Sequence, residues 1–467
     1  MINHSLVDFN ATRFITTQEG RHATMPMSKG FSRRLLPQLP EIARHYGTPF
    51  FVYDAQGIRE TVHELIETFA SCGFRHPDQF QEFFAVKALS NPVILTLLHD
   101  LGLGFDCSSP AELKFVRQIG AKPDQILFTS NNTQSFEMAE ALDHGGAIIN
   151  FDDIKHLRLV NGKLPSLVCF RYNPGPKRTT GYNAIIGAPA KCKYGVPDEQ
   201  IVEAYRQAIE RGATEFGLHT MIVSNERDYR SMTATAALLL NVATRLQREL
   251  GIKLKFINLG GGIGIPYRPK DEPFNLPSFA TEIRNLFDEA AHQLGYQPKL
   301  YLECGRHITG PHGVFIAQVV NIKESYETFI GLDANCTSSI MRPVMYYPDG
   351  GYHHISIAAS EGREQVIANV VGSVCEDRER FAWNRPLPKA QIGDLVVMHD
   401  CGAHAPQMGG RYNNRPLECQ ELLLDNGTIR RIRRAETFAD LTATLHCDPD
   451  RIELNPRREI PCPTPTP

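Results

Sequence analysis

No apolar run in the 467 residues approaches the ~18 needed to cross a bilayer, so no membrane partner is expected. The N-terminal "MINHSLVDFNATRF" lacks a basic stretch leading into an apolar one, so no secretory signal is read there. Excess basic charge is missing too. A formal net charge of -3 gives no field to attract nucleic acid or an anionic surface. The eleven cysteines are odd in number and form neither a CxxC pair nor a zinc-finger spacing. "AKCKYG", "VCED" and "HDCGAH" read as single thiols in a reducing compartment, and a cytoplasmic location follows as the expectation. Seventeen histidines include no HExxH set, and "YHHIS" has strand-like alternation, so no metal site is expected.

What is present is the composition of a globular enzyme, 42% hydrophobic and 22% charged, on a chain long enough for two domains. Residues 1–42 are an irregular N-terminal segment, expected to pack with the later β-domain. From "GTPFFVYD" onward, apolar runs alternate with helix-like stretches. "FFAVK", "GFDCS", "ILFTS", "AIINFD", "SLVCFRYNPG", "TEFGLHTMIVS", "KFINLGGG" and "KLYLECG" make eight strands in roughly 260 residues. That alternation predicts a closed (β/α)8 barrel over residues 43–310. Short alternating runs split by turn signals, Asp425-Asn426-Gly427 among them, predict an antiparallel β-sandwich or Greek-key domain over 311–450. Residues 451–467 read as a Pro-rich tail.

Three features could carry chemistry. Lys87 ends the apolar run of "FFAVKALSNP", where a charge is costly unless compensated, although surface capping would also explain it. Gly260, Gly261 and Gly262 follow the strand "KFINL", and backbone N–H groups without side chains can wrap a phosphate there; glycine-rich turns after strands are also common. Glu303 and Arg306, in "LECGRH", could pair with one another or serve a heterocyclic nitrogen and an anion. Pyridoxal phosphate needs an aldehyde-binding lysine, a phosphate cup and a carboxylate for its ring nitrogen, and strand ends of a barrel converge on one face.

The ordered motifs "FFAVKALSNP", "GFDCSSPAEL", "RYNPG", "KCKYG", "NLGGGIGIPY", "ECGRHITG", "IMRPVMY", "CED", "GDLVVMHDCGAH" and "YNNRP" resemble the alanine-racemase-fold pyridoxal enzymes. Within them the diaminopimelate/ornithine decarboxylase group is the most similar, and "IMRPVMYYPDGGYHHI" resembles the diaminopimelate members. The resemblance spans roughly 390 residues. It implies pyridoxal phosphate as cofactor, an amino acid as substrate, and a homodimer with shared active sites. It makes Lys87 the aldehyde-binding residue and Gly260 to Gly262 the phosphate loop, joined by Ser224. Glu303 becomes the ring-nitrogen carboxylate, and Arg306 serves the phosphate or substrate. Arg342 and Tyr346 match residues holding a distal carboxylate. Cys375 matches the proton donor reaching the partner's site, with Glu376 beside it on the substrate. Taken alone, Cys375 reads as a buried apolar thiol, and only the resemblance gives it a catalytic role.

This sequence also departs from the family's pattern. Where the family has "GLHxHIGS", it has "GLHTMIVS": Met221 replaces the histidine that lies on the cofactor ring, and Val223 replaces a glycine. "GAY" reads "GAH", which gives the tyrosine's phosphate contact to His404. "EPGR" reads "ECGR". "CESGD" reads "CEDRE", which places Asp377 and Arg378 near the substrate. The expected activity is decarboxylation of meso-diaminopimelate or a related amino acid with a distal carboxylate, in lysine biosynthesis. The alternatives are a carboxylated precursor of a siderophore or antibiotic, a racemase, and a non-catalytic cofactor carrier.

Overall fold

The structure, a computed structural model, describes residues 27–180, 185–347 and 351–445. The Pro-rich tail and most of the irregular N-terminal segment lie outside the described residues. Two short helices, α1 (Lys29–Leu35) and α2 (Leu39–Tyr46), lead into β1 (Phe50–Asp54) and α3 (Ala55–Ser71). Eight parallel strands then close a barrel: β2 (Phe80–Ala85), β3 (Gly104–Cys107), β4 (Ile126–Phe128), β5 (Ile148–Phe151), β6 (Leu167–Asn173), β8 (Glu215–His219), β9 (Leu254–Asn258) and β10 (Lys299–Leu302). The two-residue β7 (Val196–Pro197) pairs with β6 outside the ring, and β10 returns beside β2 to complete it.

The Ser-Asn-Pro that follows Lys87 is a helix start. Asn91 accepts from the Val93 N–H at 3.0 Å, and Pro92, which has no N–H to strand, opens α4 (Pro92–Asp100). Ser109 and Pro110 repeat the device for α5 (Pro110–Gln118). The long helices α8 (Tyr229–Leu250) and α9 (Leu276–Leu294) end at Gly251 and Gly295, whose φ of 72° and 69° suits glycine. Inside the barrel, Phe83, Leu127, Cys169 and Phe256 form an apolar layer. Two residues further along, Leu127, Cys169 and Phe256 give way to Thr129, Arg171 and Asn258, so polar chemistry gathers at the C-terminal rim.

The second body is a nine-stranded sheet with path β15–β14–β12–β11–β1–β17–β18. Besides β1, its strands are β11 (Gly313–Glu324), β12 (Thr328–Leu332), β13 (Ile355–Ile357), β14 (Gln365–Val371), β15 (Arg380–Pro388), β16 (Leu395–Met398), β17 (Gln420–Asp425) and β18 (Thr428–Arg433). Strand β11 is shared: its first half pairs with β1 and β16, its second with β12. Asn426 and Gly427, at φ 48° and 74°, make the β17–β18 hairpin.

Two details correct the sequence reading. Phe50–Asp54 falls within the span assigned to the barrel but pairs with β11 and β17 of this sheet. The sheet is also mixed, because β1 runs parallel to β17 and β12 parallel to β14. A fully buried apolar run looks the same in either sheet, and only its packing partners decide. Here Phe50 and Val52 pack with Phe31, Leu35 and Leu39 ahead of them in the chain, and with Val314, Ile316 and Leu422. Phe51 and Tyr53 face the main core. Among the described residues, no helix is long and apolar enough to cross a membrane.

Candidate active site

A cavity of about 310 Å³ opens at the C-terminal rim of the barrel. Strand β2 delivers Lys87 to it, β8 leads to Ser224, β9 to Gly261 and Gly262, and β10 to Glu303 and Arg306. The sheet domain adds Tyr346 and His404. Eight residues singled out from the sequence thus meet in one space.

Lys87 is half-buried, with Nζ 2.7 Å from Oδ2 of the buried Asp106. Burial alone would lower the lysine's pKa. The carboxylates of Asp106 and Glu303 outweigh that and push it up to about 12, so the amine is held as an ammonium. Glu303 does not pair with Arg306. Its Oε1 accepts from Asn258 Nδ2 at 2.7 Å, and its Oε2 lies 3.5 Å from His219 Nε2. Burial works against the carboxylate, but His219, Lys87 and Asn258 hold it down at about 2. His219 in turn sits 2.9 Å from Asn150, which also donates to Thr129.

The glycine loop is glycine for steric reasons. A Cβ on Gly261 would lie 2.4 Å from the Glu303 carbonyl oxygen, and one on Gly262 2.7 Å from that of Val223. Gly260 stands one step behind the cavity at φ 68°, its carbonyl accepting from the Glu303 N–H at 2.9 Å. A Cβ there would lie 2.9 Å from Met221 Cβ. Both replaced residues, Met221 and Val223, therefore back the glycine loop, and Met221 also reaches the cavity. His404 has its pKa driven well below the usual histidine value, first by burial and then by Arg306, Arg342 and Lys87, so its imidazole is neutral.

Arg306 donates to the Tyr267 hydroxyl from inside the cavity. Arg342 does not line that space. It is buried behind it, 4.2 Å over the Tyr267 ring and 3.0 Å from His353 Nε2. Cys375 and Glu376 are exposed and lie outside the cavity of their own chain. The Cys375 N–H and Sγ are held instead by Asn413, at 2.9 and 3.0 Å. Residue-by-residue reading missed Asp106, His219, Asn258 and Tyr267 as site residues. Their signal was a polar group at the inward position of a strand end, or, for Tyr267, the last residue of "GGGIGIPY".

These residues fit pyridoxal phosphate. They supply an amine for its aldehyde, an ionised carboxylate for its ring nitrogen, and a side-chain-free loop with Ser224 beside it to face a phosphate. The family model for the pyridoxal-binding domain of pyridoxal-dependent decarboxylases matches residues 59–310. The chain belongs to this family. Protein TabA of Pseudomonas amygdali pv. tabaci is 40% identical over 93% of this chain and 99% of that protein. Diaminopimelate decarboxylase of Methanothermobacter thermautotrophicus is 35% identical over 86% of this chain and 92% of that one. The crystal structure of the M. jannaschii diaminopimelate decarboxylase with L-lysine superposes with a TM-score of 0.79 at 28% identity, covering 87% and 94% of the two chains. As a pyridoxal-dependent decarboxylase, the protein is a carboxy-lyase acting on an amino acid.

Proposed function

We propose that this decarboxylase acts on meso-diaminopimelate or a related amino acid with a distal carboxylate, as a cytoplasmic homodimer with shared sites. The observation that carries the substrate class is the pair of guanidiniums on Tyr267. Arg306 lies in the cavity, makes no ion pair among the described residues, and is braced from behind by Arg342 across the same ring. A guanidinium so placed seeks a carboxylate or phosphate. The M. jannaschii enzyme, a diaminopimelate decarboxylase, holds L-lysine, which is diaminopimelate less one carboxyl.

When bound, pyridoxal phosphate supplies an aldehyde for the substrate's amino group and a ring that takes up the electron pair left as CO2 departs. Lys87 would hold the aldehyde between turnovers and keep a proton at Nζ, with Asp106 as its counter-ion. Glu303 would keep the ring nitrogen protonated. Ser224 and the Gly260 to Gly262 loop would hold the phosphate, with neutral His404 as a hydrogen-bonding group beside it. Tyr346 and Arg306 would orient the substrate's far end, with Arg342 acting through Tyr267. The α-carbon needs a proton after CO2 is lost, and the exposed Cys375 can give it only to another chain, with Glu376 beside it toward substrate.

Exposed Tyr412 adjoins Asn413, which holds Cys375, and exposed Tyr347 lies 4.9 Å from the Trp383 ring, apolar surface suited to a second copy. The nine cysteines among the described residues are all unpaired, which supports a reducing compartment. The test is a screen of the purified holoenzyme for CO2 and amine release. Its substrates are meso-diaminopimelate, ornithine, lysine and carboxylated diamino acids. Release from the doubly carboxylated compounds is expected. CO2 from ornithine or lysine alone would overturn the substrate class, and racemisation without CO2 would overturn the decarboxylation itself.

A further inference from the structure

Cys304 follows Glu303 directly and precedes the short helix α10 (Gly305–Thr309). It is buried, and its backbone N–H donates to Oε1 of Glu82 at 2.5 Å. Glu82 belongs to β2, in register with Leu302 of the neighbouring β10. It alternates with Phe83, whose ring lies in the barrel's inner layer, so Glu82 turns away from the cavity into the barrel wall. None of its surface is exposed, and its second oxygen, Oε2, has no hydrogen-bond partner among the described residues. Burial is the main reason the acid is pushed up to about 8, with Glu303 adding to it against the Cys304 N–H. It is therefore uncharged at neutral pH and sets no second negative charge beside Glu303.

A carboxyl here needs a reason, because an apolar side chain would occupy the wall at lower cost. The reason lies at position 304. The family pattern that this chain resembles has "EPGR" where it has "ECGR", and proline has no N–H. Cysteine introduces a buried donor immediately after the carboxylate-bearing residue, and a buried backbone donor must find an acceptor. Glu82 is that acceptor. The same stretch is held on its other sides by the Glu303 N–H on the Gly260 carbonyl at 2.9 Å and the Gly305 N–H on the Glu303 carbonyl at 3.1 Å. Gly261 packs directly on that carbonyl. Movement of Cys304 would shift both the Glu303 carboxylate and the glycine loop.

We propose that Glu82 is a positioning residue for the cofactor site: by taking the Cys304 N–H it fixes the main chain from which Glu303 reaches the ring nitrogen. It does from the barrel wall what a proline at 304 achieves by removing the donor. The proposal rests on the reading of Glu303 as the ring-nitrogen carboxylate.

A double-variant cycle in the full chain tests it. The readouts are the dissociation constant of pyridoxal phosphate from the apoenzyme and the absorbance spectrum of the bound cofactor. Glu82→Leu strands the Cys304 N–H and is expected to weaken binding about tenfold or more and shift the spectrum. Glu82→Gln keeps an acceptor oxygen and is expected to remain within about threefold of the parent. Cys304 has φ -88°, near proline's range, so Cys304→Pro can be built. Combined with Cys304→Pro, Glu82→Leu is expected to return to within about twofold of the parent, because residue 304 then has no N–H to strand. If Glu82→Leu fails to fold, the double variant still decides, since the proposal requires it to fold and bind. Additive losses in the double variant would overturn the proposal. So would a Glu82→Leu protein that melts lower with its binding and spectrum unchanged. Glu303→Gln is the control. An unchanged spectrum and affinity there would overturn the reading of Glu303 itself, whereas a changed spectrum beside an additive cycle would overturn only the role of Glu82.

Discussion

The rim of the barrel and the loop that carries Cys375 both hold residues of the proposed chemistry, but they are stabilised in opposite ways. At the rim each functional side chain projects from a strand end whose backbone is fixed by parallel pairing. The rim's lysine and carboxylate meet partners within the same chain: Lys87 with Asp106, Glu303 with Asn258 and His219. The loop after β14 is solvent-facing, yet its base is rigid. Buried Glu379, pushed up to about 7 mainly by burial, accepts from the backbone N–H groups of Cys336 and Gly372. Arg380 lies 3.7 Å over Trp383 and holds both the carbonyl and the side chain of Asp377. Asp377, expected near the substrate, is thus tied to Arg380 and to the loop's own architecture. A stiff loop outside the cavity of its own chain suits the proposed shared active site, whereas the lysine and carboxylate of the rim are already paired within one chain.

The most severe way to break this contrast is at the rim. Lys87→Ala should lower decarboxylation by at least about a thousandfold and remove the absorbance of the lysine-bound cofactor. Retained absorbance would show that another amine holds the aldehyde. Next in size, Cys375→Ala should slow turnover about a hundredfold with pyridoxal phosphate binding unchanged. Co-refolding the Lys87→Ala and Cys375→Ala chains sharpens the test. Heterodimers would rebuild one intact site, with activity rising to about a quarter of the parent's. Activity no higher than the two variants' average would mean that the loop serves no neighbouring site.

A smaller effect separates the two regions by pH. Burial, with Arg342, Arg306 and other cations, holds His353 behind the cavity and His404 in its wall well below the usual value of 6.5. The unfolded chain takes up protons that these histidines refuse. Stability should be full above about pH 6.5 and fall below it, by ~1.4 kcal/mol per pH unit for each histidine. Denaturant melts of His353→Phe should show a shallower slope, and an unchanged slope would count against the burial of a neutral ring. The smallest change is expected from Asp377→Ala. It removes a largely solvent-exposed ion-pair partner and should alter stability by less than about 1 kcal/mol and leave KM within twofold. A large rise in KM would put Asp377 on the substrate after all.

Much of the rim was legible because its signals are local. Lys87, Glu303 and the glycines each stand at the end of an apolar run, and a strand's period of two says which side faces in. Asn91-Pro92 and Ser109-Pro110 announce helix starts by their own hydrogen-bonding needs, and Asn426-Gly427 announces its hairpin through positive φ. Such features depend on a few neighbouring residues, and the sequence by itself determined them: eight strand–helix repeats, a following β-domain, and a lysine, a glycine loop and a carboxylate at strand ends.

Only the tertiary structure decided the partnerships. Phe50–Asp54 is buried on both faces, so its sequence suits either sheet, and the packing of Phe31, Leu35 and Leu39 against Phe50 and Val52 settles the choice. Lys87 meets Asp106 because β2 and β3 are neighbours in the barrel. Arg342 lies behind Tyr267 rather than in the cavity, and Glu82 answers a donor 222 positions away. Periodicity and capping are set within one or two turns of chain. A buried charge or donor is satisfied by whatever group the completed fold brings beside it, and no local pattern records which group that will be.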